Sequence, residues 1–171
     1  PRRRLDVLVK NHPIVAQRDD ALTREIRLLV ELGRYDRAVE LLESHHFHVW
    51  EGGGEIHGVY VDAHLLRGQK ALAEGDNGRA LRDFRAALEY PDNLEVGRPA
   101  SGGRDAEVRY FIGLALDAGG DKAGAEEAFE RSATVAAGLS DLTYFQGLSW
   151  RMLGQDSKAR NCFDRLVQFA R

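Results

Sequence analysis

The stretch "GLALDAGGDKAGAEEAF", residues 113–129, decides the fold. An apolar run starts at Gly113 and stops at Gly120. Ala125 follows five residues later, and Phe129 one helical turn after that. Shifted by 34 residues, the same spacing returns as Gly147, Gly154, Ala159 and Phe163. It is present upstream as Gly68, Gly75, Ala80 and Phe84, and once more as Ile26, Gly33, Ala38 and Leu42.

The pattern suits a helix–turn–helix unit. A glycine ends the first helix where a left-handed backbone is needed. The alanine and the earlier glycine lack bulk, so two helices can approach closely. The large residue one turn past the alanine is expected to fill the gap between neighbouring units. A 34-residue period with small residues at these places resembles the tetratricopeptide repeat. The first unit departs from it, with Ile26 where a small residue is usual.

The expected fold is therefore all-α, a right-handed tetratricopeptide-type solenoid. It has about four units, near 19–46, 57–90, 105–137 and 140–170. Helices are expected near 20–32, 35–46, 57–74, 78–90, 105–118, 122–137, 141–153 and 156–170. Residues 1–18 read as one more helix, broken at Asn11-His12-Pro13, that caps the first unit or is left from a preceding one. The turn glycines are spaced 42, 45 and 34 apart, so two intervals hold extra residues. These fall in "HHFHVWEGGGEIH", 45–57, and "EYPDNLEVGRPASGGR", 89–104. Insertions in helical arrays map to loops on one face, often the binding face.

Bulk composition narrows the function. With 43% hydrophobic and 30% charged residues the chain reads as folded rather than disordered. The formal charge of −3 gives no nucleic-acid signature. No apolar run approaches the ~18 residues of a membrane span. The single Cys162 fits a reducing compartment, so a cytoplasmic location is expected. The start, "PRRRLDVLVK", carries neither methionine nor an apolar signal core, and the chain reads as a piece of a longer protein.

A narrower resemblance rests on "VAQRDD", "LGRYDRAVELL", "HHFHVWEGG", "ALEYPDNLEVGRP" and "YFQGLSWRMLG". These look like a group of large bacterial tetratricopeptide proteins in which a β-rich, sugar-domain-like domain of unknown function precedes the repeats. The elements that carry it are Phe47, Trp50, Glu51 and Gly52, then Tyr90, Pro91, Asn93 and Leu94. Val49 stands where the group has proline. The resemblance implies the C-terminal repeat segment of a carbohydrate-associated protein and supplies no reaction.

Candidate sites follow from the insertions and the helix faces. In the first insertion, Trp50 and Glu51 beside Gly52-Gly53-Gly54 make either an aromatic platform with an acid or a plug and helix cap. His45, His48 and His57 are the candidate metal ligands. The i, i+4 pair of a helical zinc site is missing, so neither metal nor cofactor is expected. No phosphate-binding loop motif accompanies the glycines. In the second insertion, Tyr90, Asn93, Arg98 and Arg104 read as a ligand set, with Arg98 able to clamp a carboxylate, or as a solvated loop tip.

On the first helix of each unit one position is acidic four times: Asp20, Asp62, Glu107 and Asp141. Three residues on stand Thr23, Leu65, Tyr110 and Tyr144, and four further Arg27, Gln69, Leu114 and Leu148. The acids suit the dipole of a first helical turn. The same rows also describe a groove acidic at one edge and aromatic within, fit for a partly basic, apolar segment. The lysines and asparagines that hold chaperone-tail carboxylates are missing at these positions.

Enzymatic signatures are weak. Gly147-Leu148-Ser149-Trp150-Arg151 lacks the second glycine of a nucleophile elbow, and Cys162 lies on a packing row beside Phe163. The expectation is a non-catalytic interaction scaffold that binds a protein or peptide, or the preceding domain of its own parent chain. The alternative is that the inserted loops complete a carbohydrate site.

Overall fold

The computed structural model describes residues 1–48, 55–100, 102–136 and 138–169. Among these the chain forms ten α-helices, one 3-10 turn and no strand. The helices are α1 (Arg2–Lys10), α2 (His12–Val15), α3 (Asp19–Glu31), α4 (Tyr35–Ser44), α5 (Glu55–Ala73), α6 (Asn77–Ala86), α7 (Asp105–Ala118), α8 (Lys122–Ala133), α9 (Leu142–Met152) and α10 (Asp156–Phe169). The 3-10 turn is Asp92–Leu94. The chain divides into two compact units. One is residues 1–67 with 89–97, the other 68–88 with 98–171, so the division falls inside α5. No helix among the described residues is long and apolar enough to cross a membrane.

The helix-to-helix turns follow one chemical rule. Gly33, Gly75, Gly120 and Gly154 have φ of 73°, 82°, 88° and 70°, which a side chain would resist. The residue after each glycine donates its N–H five residues back. These bonds are Arg34 to Leu29 (2.8 Å), Asp76 to Ala71 (2.9 Å), Asp121 to Leu116 (3.0 Å) and Gln155 to Trp150 (2.8 Å). That is the Schellman closure, which satisfies carbonyls a helix end would otherwise leave open. Asp76 and Asp121 then cap the following helices by accepting from Arg79 N and Gly124 N, each at 2.9 Å.

In the second unit the small residues act as sockets. A Cβ added at Gly68, Gly113 or Gly147 would lie 2.5 Å from the ring of Phe84, Phe129 or Phe163 respectively. Each phenylalanine therefore seats on the glycine of its own helix pair. The expectation that it fills the gap between neighbouring units holds only in part, for Phe84, which also meets Phe111 of the next unit. The seat lies within the pair because the glycine carries no Cβ, leaving the space that the ring fills. Packing also extends sideways, with Phe84 and Phe111 rings 5.5 Å apart. Ala80, Ala125 and Ala159 are buried as well. Two buried serines add a polar link that periodicity does not announce. Ser149 Oγ donates to Ser132 Oγ (2.7 Å), which donates to the Ala106 carbonyl (2.6 Å), joining α9, α8 and α7. Ser149 is thus a structural residue in a closed network.

The first unit uses different bulk at the same register. Ile26 on α3 and Leu42 on α4 are both buried, a larger residue on the first helix paired with a smaller one on the second. Helices α1 and α2 pack on α3, with Leu5 and Val15 buried, and the break falls at the expected Asn11-His12-Pro13. Buried Glu25 of α3 is answered by His12 Nδ1 at 3.0 Å.

Three boundaries shift, one of them that of α8, which stops at Ala133 rather than near residue 137. Gly68 stands thirteen residues past the start of α5, whereas Gly113 stands eight past the start of α7. Part of the first insertion is therefore extra helix, and His57 sits on α5. Helix α6 stops at Ala86, short of the expected residue 90, and Glu89–Gly97 belongs to the first unit.

Candidate functional site

The two inserted segments meet in the first unit. After α4 the chain turns extended, with His45 at φ −107° and ψ 143°. Extended backbone sends alternate side chains to opposite sides. Phe47 goes inward and is 2% exposed, while His46 and His48 face out. The Phe47 N–H donates to the Asn93 carbonyl at 2.7 Å. Asn93 Nδ2 donates to the carbonyls of Leu42 (2.8 Å) and His45 (2.7 Å). Asn93 is thus the cap of α4, supplied from about fifty residues away, and not part of a solvated loop tip.

The three candidate metal ligands, His45, His48 and His57, do not converge. His45 Nε2 bonds Asp19 Oδ1 at 2.8 Å, and its ring meets Phe47 edge-on. His57 Nε2 donates to the Glu89 carbonyl at 3.0 Å, and its ring stacks on Tyr90 at 3.8 Å and 12°. His48 turns elsewhere, with Nδ1 3.5 Å from Glu95 Oε1. The structure instead gathers His46, His48 and Glu95, whose ligand atoms lie within 4.8 Å of one another. His46 Nε2 is 2.8 Å from Glu95 Oε1. Glu95 holds φ 50° and ψ 25°, the one non-glycine with positive φ among the described residues. The sequence signal is the His-x-His spacing at 46 and 48, which puts both rings on one side of an extended chain.

Asp19 anchors the start of this arrangement. It accepts from His45 and, through Oδ2, from the His48 backbone N–H at 2.8 Å. Desolvation pushes its pKa up, but the bonds from His45 and His48 and their charges outweigh that and hold it below its ordinary value. A carboxyl with a lowered folded pKa adds stability above its unfolded pKa, about 4, and loses it as pH falls through the folded value. The wild type should therefore lose more stability than Asp19→Asn between about pH 5 and 3 in urea titrations. Parallel pH profiles would remove Asp19 from the stability of this segment.

The remaining candidates separate by environment. Trp50 and Glu51 lie outside the described residues. Arg98 grips its own chain, bonding Asp105 at 3.2 and 3.3 Å and the Leu88 carbonyl, and Arg104 bonds Glu107 at 2.7 Å. Leu65 is 1% exposed and belongs to the core, which corrects its place in a groove. Asp62 and Gln69 are half-buried on α5. Asp62 lies well inside that helix, so a first-turn dipole does not explain it, whereas Asp20 and Glu107 do sit in first turns and Asp141 is the N-cap of α9.

In the second unit Glu107, Tyr110 and Leu114 share one face of α7, as Asp141, Tyr144 and Leu148 share one face at the start of α9. Helices α7 and α9 pack together. Tyr110 lies 6.0 Å from the Phe145 ring and Tyr144 5.5 Å from it. Tyr144 is 49% exposed. Burial raises the Tyr110 phenol pKa, so its hydroxyl stays protonated and able to donate at neutral pH. Cys162 is buried against Gly147, and burial pushes its thiol up, which suits packing rather than nucleophilic attack.

No family model matches the chain. Among solved structures it is similar to a crystal structure of MamA, at 17% identity and a TM-score of 0.45, covering 96% of this chain and 83% of that one. It is also similar to MamA 41-end from Desulfovibrio magneticus RS-1, at 17% identity and a TM-score of 0.43, covering 88% and 75%. The helix-pair architecture stands on the turn closures and glycine–phenylalanine seats rather than on this likeness.

Proposed function

We propose that the chain is a non-catalytic interaction scaffold that holds a partly basic, apolar peptide segment along Tyr110 and Tyr144. The observation that carries this reading is Tyr144. It is half exposed yet continuous with an aromatic row through Phe145 and Phe163. Large aromatics presented this way contribute much contact area at small conformational cost, with a hydroxyl for orientation. Leu114 and Leu148, both partly exposed, extend the apolar strip, and exposed Asp141 gives its near edge negative charge, Glu107 being paired with Arg104. Arg151 near Tyr110 and Lys158 over the Trp150 ring at 4.0 Å keep this unit from being uniformly acidic. The charge therefore favours a segment with basic residues at one end. A sugar-binding role for the second insertion draws no support from Tyr90, whose ring face is covered by His57.

Fluorescence anisotropy tests the proposal with two labelled peptides, one alternating leucine and arginine, the other leucine and glutamate. The basic peptide should bind and the acidic one should not. Tyr144→Ser should weaken binding about tenfold, equivalent to about 1.4 kcal/mol. Equal binding of both peptides, or affinity indifferent to Tyr144, would remove this face as the binding surface.

A further inference from the structure

We infer that His46, His48 and Glu95 form a surface site for a divalent transition-metal ion, with zinc the natural probe. Two imidazoles and one carboxylate are a borderline ligand set that suits zinc and its neighbours better than calcium or magnesium. Zinc bonded to nitrogen at about 2.0–2.1 Å in a tetrahedral shell sets neighbouring donors about 3.3–3.5 Å apart. The donors stand close to that. His48 Nδ1 is 3.5 Å and His46 Nε2 2.8 Å from Glu95 Oε1, and all three ligand atoms fall within 4.8 Å. Closing the trio from within 4.8 Å to a tetrahedral spacing needs rotation of exposed side chains only. The His46 and His48 rings lie 4.9 Å apart and tilted, side by side on the exposed face of the segment.

The backbone beneath this trio is already fixed. Phe47, between the two histidines, is buried and bonded to the Asn93 carbonyl. Asn93, two residues before Glu95, ties back to Leu42 and His45. The ligands therefore come from two segments clasped by main-chain and amide bonds, which lowers the ordering cost of binding. A metal ion takes the ring nitrogens without their protons, so its binding replaces the His46–Glu95 hydrogen bond. Three protein ligands leave a fourth place for water or for a donor from a partner. The ion would act as a clip between residues 46–48 and Glu95. The site lies in the first unit, the tyrosine strip in the second, and the inference does not depend on that reading.

The test uses the untagged full chain. Zinc chloride is titrated by calorimetry, and thermal melts are recorded with zinc and then with excess chelator. One saturable site is expected, with the melting temperature raised by about 5–10 °C near a hundredfold excess over Kd and restored by chelator. His46→Asn with His48→Asn should weaken binding at least about tenfold, and Glu95→Gln should do so alone. Because these side chains are exposed, circular dichroism of the variants should match the wild type. His57→Asn, the control, should bind as wild type does. Imidazole resonances of His46 and His48 alone should shift in two-dimensional NMR. Absent saturable binding, binding that survives the double substitution, or zinc shifts on other histidines would each overturn the site.

Discussion

Replacing Phe84 by alanine lowers stability by about 3–5 kcal/mol, read as a shift of the urea midpoint followed by helical circular dichroism. The ring is wholly buried and seats on Gly68, where not even a methyl group fits. Removing it leaves a hole between α5 and α6, and the ring also loses its contact with Phe111 at 5.5 Å. Stiff paired helices cannot collapse to refill such a space. The same change at Phe129 should cost slightly less, and at partly exposed Phe163 least. The reciprocal variant is sharper evidence. Gly68→Ala improves helix propensity by about 1 kcal/mol, so a chain without the seat would gain stability. Here the added carbon meets the ring at 2.5 Å, and a net loss of about 1–2 kcal/mol is expected. Gly68→Ala combined with Phe84→Leu should recover part of that loss, with a coupling of about 0.5–3 kcal/mol. The first pair already follows that logic with Ile26 and Leu42. A stabilising Gly68→Ala would sink the seat as an explanation of the repeat.

The parts of this fold that could be read from the sequence are the local ones. A Schellman closure spans six residues and demands glycine, so Gly33, Gly75, Gly120 and Gly154 announced it. Amphipathic spacing placed α7 and α10 within a residue or two. What escaped was set by contacts distant in the chain. No spacing rule tells that Phe129 seats on Gly113 of its own pair rather than on a neighbour. Asn93 caps α4 from about fifty residues away, and nothing near Leu42 or His45 hints at it. The convergence of His46 and His48 with Glu95 needed two facts together, extended chain at 45–48 and a left-handed residue at 95. A loop tip was expected where the second insertion turned out to be a clasp, because composition rich in proline and glycine reports turn formation but not what the turn holds.

That clasp carries the second large effect. Asn93→Ala removes both amide hydrogen bonds and leaves the carbonyls of Leu42 and His45, 2.8 and 2.7 Å away, without their donor. The site is partly buried, so water replaces them incompletely, and a loss of about 2–4 kcal/mol is expected. Asn93→Asp separates hydrogen bonding from shape. It keeps the size of the side chain but turns a two-proton donor into an anion facing two carbonyl oxygens. At neutral pH it should be at least as damaging as alanine. Its folded-state carboxyl pKa is raised by those oxygens, so stability should return as pH falls and the protonated acid donates to one of them. Alanine has no such recovery. The local reporter is the Phe47 amide, which donates to the Asn93 carbonyl at 2.7 Å. Its hydrogen exchange should accelerate in both variants, because the main chain at residue 93 loses the bonds that hold it against α4. If Asn93→Ala stays within about 0.5 kcal/mol of wild type and the Phe47 amide remains protected, packing of Leu94 and Phe47 holds the two insertions together, and the amide merely decorates the contact.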